Sequence, residues 1–469
     1  MDGLECKELL FSIVKKANKS TRFDPEYYSK LALSTESFIL SKPHYFLDAR
    51  NVVSGPFGST LKSSSYLEKG DVPFVRIENI KGGFYISRSN LVYISSFDNS
   101  RIANSQLSED DIVLSKVGNS IGFFARVDSV LKGCNISENN IGIKLEGFST
   151  AQKHTMLTYF NSKYGQILLL RRRSGNAQPK LNVDDVCFIP IPVFGEVFCE
   201  KISNIIIQSE MQMHQSQDIY EKVSNYLLSE LKYDVATIST NTIVSKDISN
   251  SFMVSGRLDA EYYQTKYEDV TRIINTSNTV ENLCNIYDRS FTPLNNSYYQ
   301  YIELADVGLN GVIDGVETIC GFDLPTRARR IVKTGQVIIS SIEGSLQSCA
   351  LIPDEYNNAL CSTGFYVIDS NVMNSETLLL LFKSEPIQLL MKQRCSGTIL
   401  TGISKNEFLK MPLPLIDEDV QKHIATEVQE SFAIRKQSQH LIDTAVHAIE
   451  LAIETEEDAA LKWLETQVD

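Results

Sequence analysis

No stretch of this chain approaches the ~18–20 consecutive apolar residues of a membrane span, so no membrane partner is expected. The short apolar patch Leu9–Val14 follows Asp2, Glu5 and Glu8 rather than a basic start. It does not read as a secretory signal, and the chain is expected in the cytoplasm. Nine cysteines lie far apart (6, 134, 187, 199, 284, 320, 349, 361 and 395) with no Cys-x-x-Cys pair. The odd number and wide spacing argue against a disulfide framework and favour small buried apolar thiols. His440 and His447 can share a helix face, but no carboxylate or cysteine stands at ligand spacing beside them, and no metal is expected.

Catalytic signatures are missing as well. There is no GxxxxGK[ST] phosphate loop, no G-x-S-x-G elbow and no HExxH helix. The Asn/Asp-Pro-Pro-Tyr/Phe tetrapeptide of amino-directed DNA methyltransferases is also absent. Gly55-x-x-Gly58 and Gly118-x-x-x-Gly122 lack the strand–GxGxxG–helix context of a dinucleotide site and read as turns. Asp110-Asp111 and Asp184-Asp185 do not recur as pairs and read as solvated turns. No catalytic residue is assigned, no cofactor is expected, and the chain is read as a non-enzyme.

What the chain does have is a phrase written twice. Phe160-x-Ser162 … Gln166 … Ser174-Gly175 … Pro190-x-Pro192 returns 222 residues later as Phe382-x-Ser384 … Gln388 … Ser396-Gly397 … Pro412-x-Pro414. Looser echoes precede it. Arg22-Phe-Asp24-Pro-Glu26-Tyr27-Tyr28 answers Arg257-Leu-Asp259-Ala-Glu261-Tyr262-Tyr263, and Asp111–Ser115 answers Gln336–Ser340. The offset falls from 235 through 225 to 222, so small insertions and deletions sit in the front of each unit and the back is locked. Duplication at this period means two equivalent globular units.

Within each unit, short β-branched and aromatic segments bounded by Gly, Asn, Ser or Asp predict strands: Phe74–Ile80, Asp111–Val117, Gly122–Val127 and Ile141–Leu145. Tyr299–Leu304, Val337–Ile342 and Gly364–Ile368 are their counterparts. A helix follows, over Thr155–Arg171 and Ser375–Gln393, stopped by Ser-Gly. The fold class is therefore α+β, as two tandem α/β units each followed by a long helix.

The long helices are predicted over Phe198–Leu231 and Val420–Leu464, both free of proline and glycine. Ile206, Met213, Tyr220 and Leu227 recur at seven in the first, and Ser431, Ser438, Ala445 and Ala452 in the second. Ser431 and Ser438 fall on Ser209 and Ser216 when shifted by 222. Small residues on a heptad seam allow close approach of two backbones, so the arms are expected to pair as a coiled coil. An arm of 34 residues would be roughly 50 Å long. The expected domains are 1–195, the first arm 196–233, a polar linker 234–256, 257–416, and the second arm 417–469.

The net charge of −13 argues against nucleic acid at face value. Local basic clusters argue for it. Arg171-Arg172-Arg173 ends a helix before a polar loop holding Asn176, Gln178 and Lys180. Either the arginines complement the helix dipole, or they clamp phosphate while Asn and Gln read base edges. Lys62, Lys116 and Asn119 are candidates for the same face. The second unit offers Lys392, Arg394 and Thr398, and a separate cluster of Arg327, Arg329, Arg330 and Lys333.

Two α+β units, each closing with Ser-Gly … Pro-x-Pro and a long helix, resemble the specificity (S) subunit of type I restriction–modification systems, HsdS-like chains. The phrases that carry the likeness are Gly55-Pro-Phe57-Gly58-Ser59, Asp111–Ser115 … Gly118, Ser174-Gly175 and the Pro-x-Pro turns. The second unit departs from it, with Arg289-Ser-Phe291-Thr-Pro293 in place of Gly-x-Phe-Gly-Ser. The resemblance implies two target recognition domains, each reading half of a bipartite site in double-stranded DNA. It also implies antiparallel helices that space the half-sites, docking of two methyltransferase (M) subunits, and restriction (R) subunits as further partners. A specificity subunit of a type IIB-like system and a tandem-domain protein-binding scaffold without DNA are the alternatives.

Overall fold

The computed structural model describes residues 8, 10–12, 14, 22–82, 84–88, 90–175, 179–241, 243–308, 310–313, 315–397 and 401–467. The chain forms two compact units. One runs up to Gln212 and takes in the chain from Lys436 onward; the other is Met213–Arg435. Each long helix, Glu196–Glu230 and Glu418–Glu454, is divided between them. Among the described residues no helix is long and apolar enough to cross a membrane.

In the first unit, Val52–Ser54, Asn140–Ile143, Ile112–Ser115, Phe124–Arg126 and Phe84–Tyr85 lie side by side in that order. All neighbours are antiparallel except the last pair. The strand Ile112–Ser115 is buried at every position because both its faces are covered. Ile112 and Leu114 point into the large core with Tyr159, Phe160, Leu168 and Leu169. Val113 points the other way, onto Val75, Ala125 and Ile136, as the two-residue period of a strand requires. Val75 belongs to a second sheet, Val72–Val75 between Val92–Ile94 and Asn135–Ile136.

The second unit repeats this plan. Asn285–Ile286, Phe365–Asp369, Val337–Ser340 and Cys349–Leu351 form the main sheet. Val337 and Ile339 face the helices, and Ile338 faces Ile302 and Val367. Its second sheet carries Glu317–Cys320, Tyr298–Ile302 and Leu360–Ser362, plus the edge strand Ala328–Ile331, which has no counterpart among the described residues of the first unit.

Two predicted helices are each broken in two. Thr150–Asn161 gives way to Lys163–Leu170 at Ser162, and Ser375–Lys383 to Glu385–Arg394 at Ser384. Both serines turn their hydroxyls back onto the carbonyl three residues earlier, Tyr159 and Leu381, at 2.6 Å. Such a local bond competes with helix continuation. Gln166 and Gln388 then seal the corners, donating to the Phe160 and Gly122 carbonyls and to the Phe382 and Leu346 carbonyls.

The arms pair within each unit, antiparallel. In the first, Gly195 N–H donates to Glu457 and Ser209 meets Ser438. In the second, Ser216 meets Ser431 and Tyr226 stands against His423. Ser209, Ser216, Ser431 and Ser438 are all buried. The Ser209 hydroxyl donates to the Ser438 carbonyl at 2.9 Å and Ser438 returns the bond at 2.8 Å. Ser431 donates likewise to the Ser216 carbonyl at 2.8 Å. The second arm is shorter than predicted: it ends at Glu454, and a separate helix, Glu457–Glu465, buries Ala460 and Leu464 in the first unit's core.

Candidate nucleic-acid interface

Three loops of the first unit converge at one end of its main sheet. The Lys116 N–H donates to the Asn139 carbonyl at 3.1 Å, and the Lys116 carbonyl accepts from Leu181 N–H at 2.9 Å. Gly118 N–H reaches the Pro179 carbonyl, and Gly55 N–H the Asn140 carbonyl. A Cβ on Gly55 would collide with the Ser137 carbonyl, so the Gly-Pro-Phe-Gly-Ser turn needs glycine there. Gly58 N–H donates to the Glu138 carboxylate at 2.6 Å. The loop after the helix is pinched shut, Ser174 and Lys180 exchanging both backbone bonds at 2.9 Å.

Lys62, Arg173 and Lys180 are exposed on these loops, and so is Phe57, at 81 %. Lys116 is half-buried and donates to the Ser54 hydroxyl at 2.8 Å. Burial pulls its pKa down, and Lys180 nearby adds to the shift while Glu138 opposes it. The side chain of Asn119 and residues Asn176 and Gln178 lie outside the described residues, so the base-reading roles suggested for them stay expectations.

The arginine triplet does not act as one clamp. Arg171 and Arg172 are buried, and both guanidiniums pair with Glu36, at 2.9 and 3.0 Å. Arg171 also stacks over Tyr27, and Arg172 donates to the carbonyls of Leu168 and Phe188. Neither faces solvent where a phosphate could reach it, so for these two the phosphate-clamp expectation is corrected. They fasten the helix Lys30–Leu40 to the unit. Only Arg173 of the three is exposed.

A second correction concerns Asp110 and Asp111, expected in a solvated turn but buried. Asp110 joins a network with His154, Thr150 and Arg126, and Arg126 also pairs with Glu210 on the long helix. Burial alone would raise the Asp110 pKa, but hydrogen bonds from His154 and Arg126 outweigh it and hold the carboxyl well below the usual range. Asp111 accepts backbone bonds from Ser108 and Leu145.

The second unit builds the same loop frame with other residues. Ile403 N–H donates to the Ser341 carbonyl at 2.8 Å and Glu343 N–H to the Thr401 carbonyl at 3.0 Å. Ser341 and Glu343 thus stand where Lys116 and Gly118 stand in the first unit. Basic residues concentrate instead on the additional edge strand. Arg327 is exposed and pairs with Glu303, while Arg329 donates to the Thr326 carbonyl. Arg330 lies over the Tyr366 ring, and exposed Lys333 contacts Asn358. Lys392 is exposed; Arg394 is half-buried, turned back onto the Leu390 carbonyl as Arg172 is onto Leu168. Thr398 lies outside the described residues.

Sequence reading missed Arg289, which is exposed on the segment that reaches the edge strand through Phe291 N–H and the Arg329 carbonyl. The departure from Gly-x-Phe-Gly-Ser at this place was the available signal. It also missed Glu138 and Ser54, which hold the first unit's loops and carry no motif.

No family model matches this sequence, and no curated protein matches it. Among solved structures, the chain is similar to the type I restriction–modification S subunit from M. genitalium, with 12% identity and a TM-score of 0.33 over 90% of this chain and 96% of that one. It is also similar to the HsdS subunit from Thermoanaerobacter tengcongensis, with 13% identity and a TM-score of 0.29 over 88% and 97%. A third similarity is to a chain from work on complex assembly and conformational transition of the type I R-M system, with 14% identity and a TM-score of 0.26 over 86% and 97%. The first two neighbours are S subunits. Both extend over most of this chain.

Proposed function

We propose that this chain is a non-catalytic DNA-recognition subunit of a type I restriction–modification complex. Each unit reads one half of a bipartite site in double-stranded DNA, and the paired arms set the spacing and dock methyltransferase subunits. The observation that carries the reading is one loop frame built twice, at the end of equivalent sheets and after equivalent broken helices, with different side chains mounted on it. A duplicated frame with diverged loops suits a target of two unlike parts.

In the first unit the exposed cations Lys62, Arg173 and Lys180 would neutralise phosphates, with half-buried Lys116 behind them. In the second, Arg327, Arg329, Lys333 and Lys392 would do so. Phosphate contacts position a protein and loop side chains specify the bases. The deciding experiment is binding to a randomised duplex library by the full-length chain, with and without a methyltransferase partner, across salt concentrations. A two-part motif whose affinity falls steeply with salt is expected. Failure to enrich any DNA with the partner present would leave a protein-binding scaffold as the better account. Removing one or two heptads from both arms should shorten the gap and leave the half-sites intact; an unchanged gap rules out spacing by the arms.

A further inference from the structure

The Arg-x-Asp-x-x-Tyr-Tyr phrase, written 235 residues apart, reaches the end of the equivalent helix in both units, with one of its two acceptors at the matching position. Arg22 donates to the carbonyls of Arg172 at 2.7 Å and Arg173 at 2.8 Å. Arg257 donates to those of Gln393 at 3.3 Å and Cys395 at 2.7 Å. These carbonyls lie at or just past the end of the helix that leads into each loop. Each arginine is itself held at two sides of its guanidinium and at its backbone. Asp24 and Asp259 take its Nε edge at 2.7 and 2.8 Å. The rings of Tyr27 and Tyr262 lie against its face at 4.9 and 4.4 Å. The hydroxyls of Tyr28 and Tyr263 donate to the arginine's own carbonyl at 2.9 and 2.7 Å.

The acceptors are 150 and 138 residues from the arginines along the chain. Directly beyond them come the pinched loop Ser174–Lys180 and the two-stranded pair Cys395–Ser396 with Gly402–Ile403. The loops differ beyond their shared Ser-Gly, while the clasp beneath them is kept. A planar fork bonded to two carbonyls, successive in the first unit and alternate in the second, fixes both the position and the rotation of the chain leaving the helix, which a point charge cannot do.

We infer that Arg22–Asp24–Tyr28 and Arg257–Asp259–Tyr263 are positioning elements, each setting the loop of its own unit and thereby the base preference of one half-site. The inference rests on the DNA reading proposed above. The test is motif selection from a randomised duplex library by the full-length chain with its methyltransferase partner, as wild type, R22A, R22K and R257A. Amide exchange at Ser174, Lys180 and the core strand Ile112–Ser115 is followed alongside. R22A should lose at least tenfold enrichment in one half-motif and keep the other, and R257A should do the reverse. R22K, with charge but no fork, should behave as R22A. Ser174 and Lys180 should lose protection in R22A while the core strand keeps its own. If R22A also loosens the core strand, D24N, which removes one edge of the clasp, is read by the same criteria. A wild-type motif kept whole by both arginine variants overturns the clasp alone. A wild-type chain that enriches nothing overturns the DNA reading and the clasp with it.

Discussion

The two units share a frame and differ in charge. The first, with its share of both arms, holds 27 Lys+Arg against 30 Asp+Glu; the second holds 18 against 28. The acidity that argues against nucleic acid therefore belongs mostly to one unit. At the loop frame the contrast is local: Lys116 in the first corresponds to Ser341 in the second, and Gly118 to Glu343. The interiors differ too. Arg126, between Asp110 and Glu210, corresponds to Leu351, and Glu210 to Phe432. The same backbone plan tolerates a buried ion network in one copy and apolar packing in the other. Backbone hydrogen bonds and strand alternation define the plan, and neither depends on which side chain fills the interior.

Removing Arg126 should have the largest effect. R126A removes the cation that buried Asp110 shares with Glu210, leaving Asp110 to His154 and Thr150, and should cost about 3–5 kcal/mol, read from denaturant unfolding. L351A should cost less, because it strands no charge. A cost for R126A no larger than for L351A would make the network incidental. The same site predicts a pH difference. Because the Asp110 pKa is depressed in the folded state, its contribution is present above the unfolded carboxylate range. It is lost as pH falls through that range and below it, so from about pH 4 downward the first unit should weaken more steeply than D110N. Parallel acid-unfolding curves for the two would sink this.

Next comes Glu36, the shared partner of Arg171 and Arg172. Its carboxylate is partly solvated, which discounts the loss, and E36A should cost about 2–3 kcal/mol with the first unit failing before the second in amide exchange. The seam serines should be smaller: S431A removes a hydroxyl-to-carbonyl bond between the arms and should cost about 0.5–1.5 kcal/mol, and S209A should cost more, because the Ser209 hydroxyl also accepts from the Tyr85 hydroxyl at 2.7 Å. Equal costs would show that the Tyr85 bond to Ser209 contributes nothing. Smallest in stability is R327A, which breaks an exposed pair with Glu303 and should cost under about 1 kcal/mol. Its effect belongs in binding, where R327A and R173A should each lower the salt slope by about 1. R171A should leave the slope alone, since its guanidinium is buried.

Particular residues mark how far sequence reading went. The strands were legible because Ile112–Ser115 and Val337–Ser340 are short β-branched runs bounded by polar residues. The seam was legible because Ser209, Ser216, Ser431 and Ser438 keep a seven-residue period. The break at Ser162 was not, since a serine inside a helical pattern gives no stop signal until its hydroxyl finds the carbonyl behind it, whereas Pro386 marked the break at Ser384 and was passed over. Nor was the fate of Arg171 and Arg172, because their partner Glu36 lies more than a hundred residues away. The edge strand Ala328–Ile331 reads as a basic cluster until it pairs with Leu360–Ser362.

By itself the sequence determined that there are two units, what each is made of, and that the arms meet along small residues. Periodicity and repetition are properties of order along the chain, and order survives without coordinates. Only the tertiary structure decided which charges are available. A guanidinium faces solvent or lies against a carboxylate according to what folding brings beside it. Thus Arg173 stays free on the surface while its two neighbours are consumed in holding a helix, and Arg22 and Arg257 become visible as mounts for the loops they never adjoin in sequence.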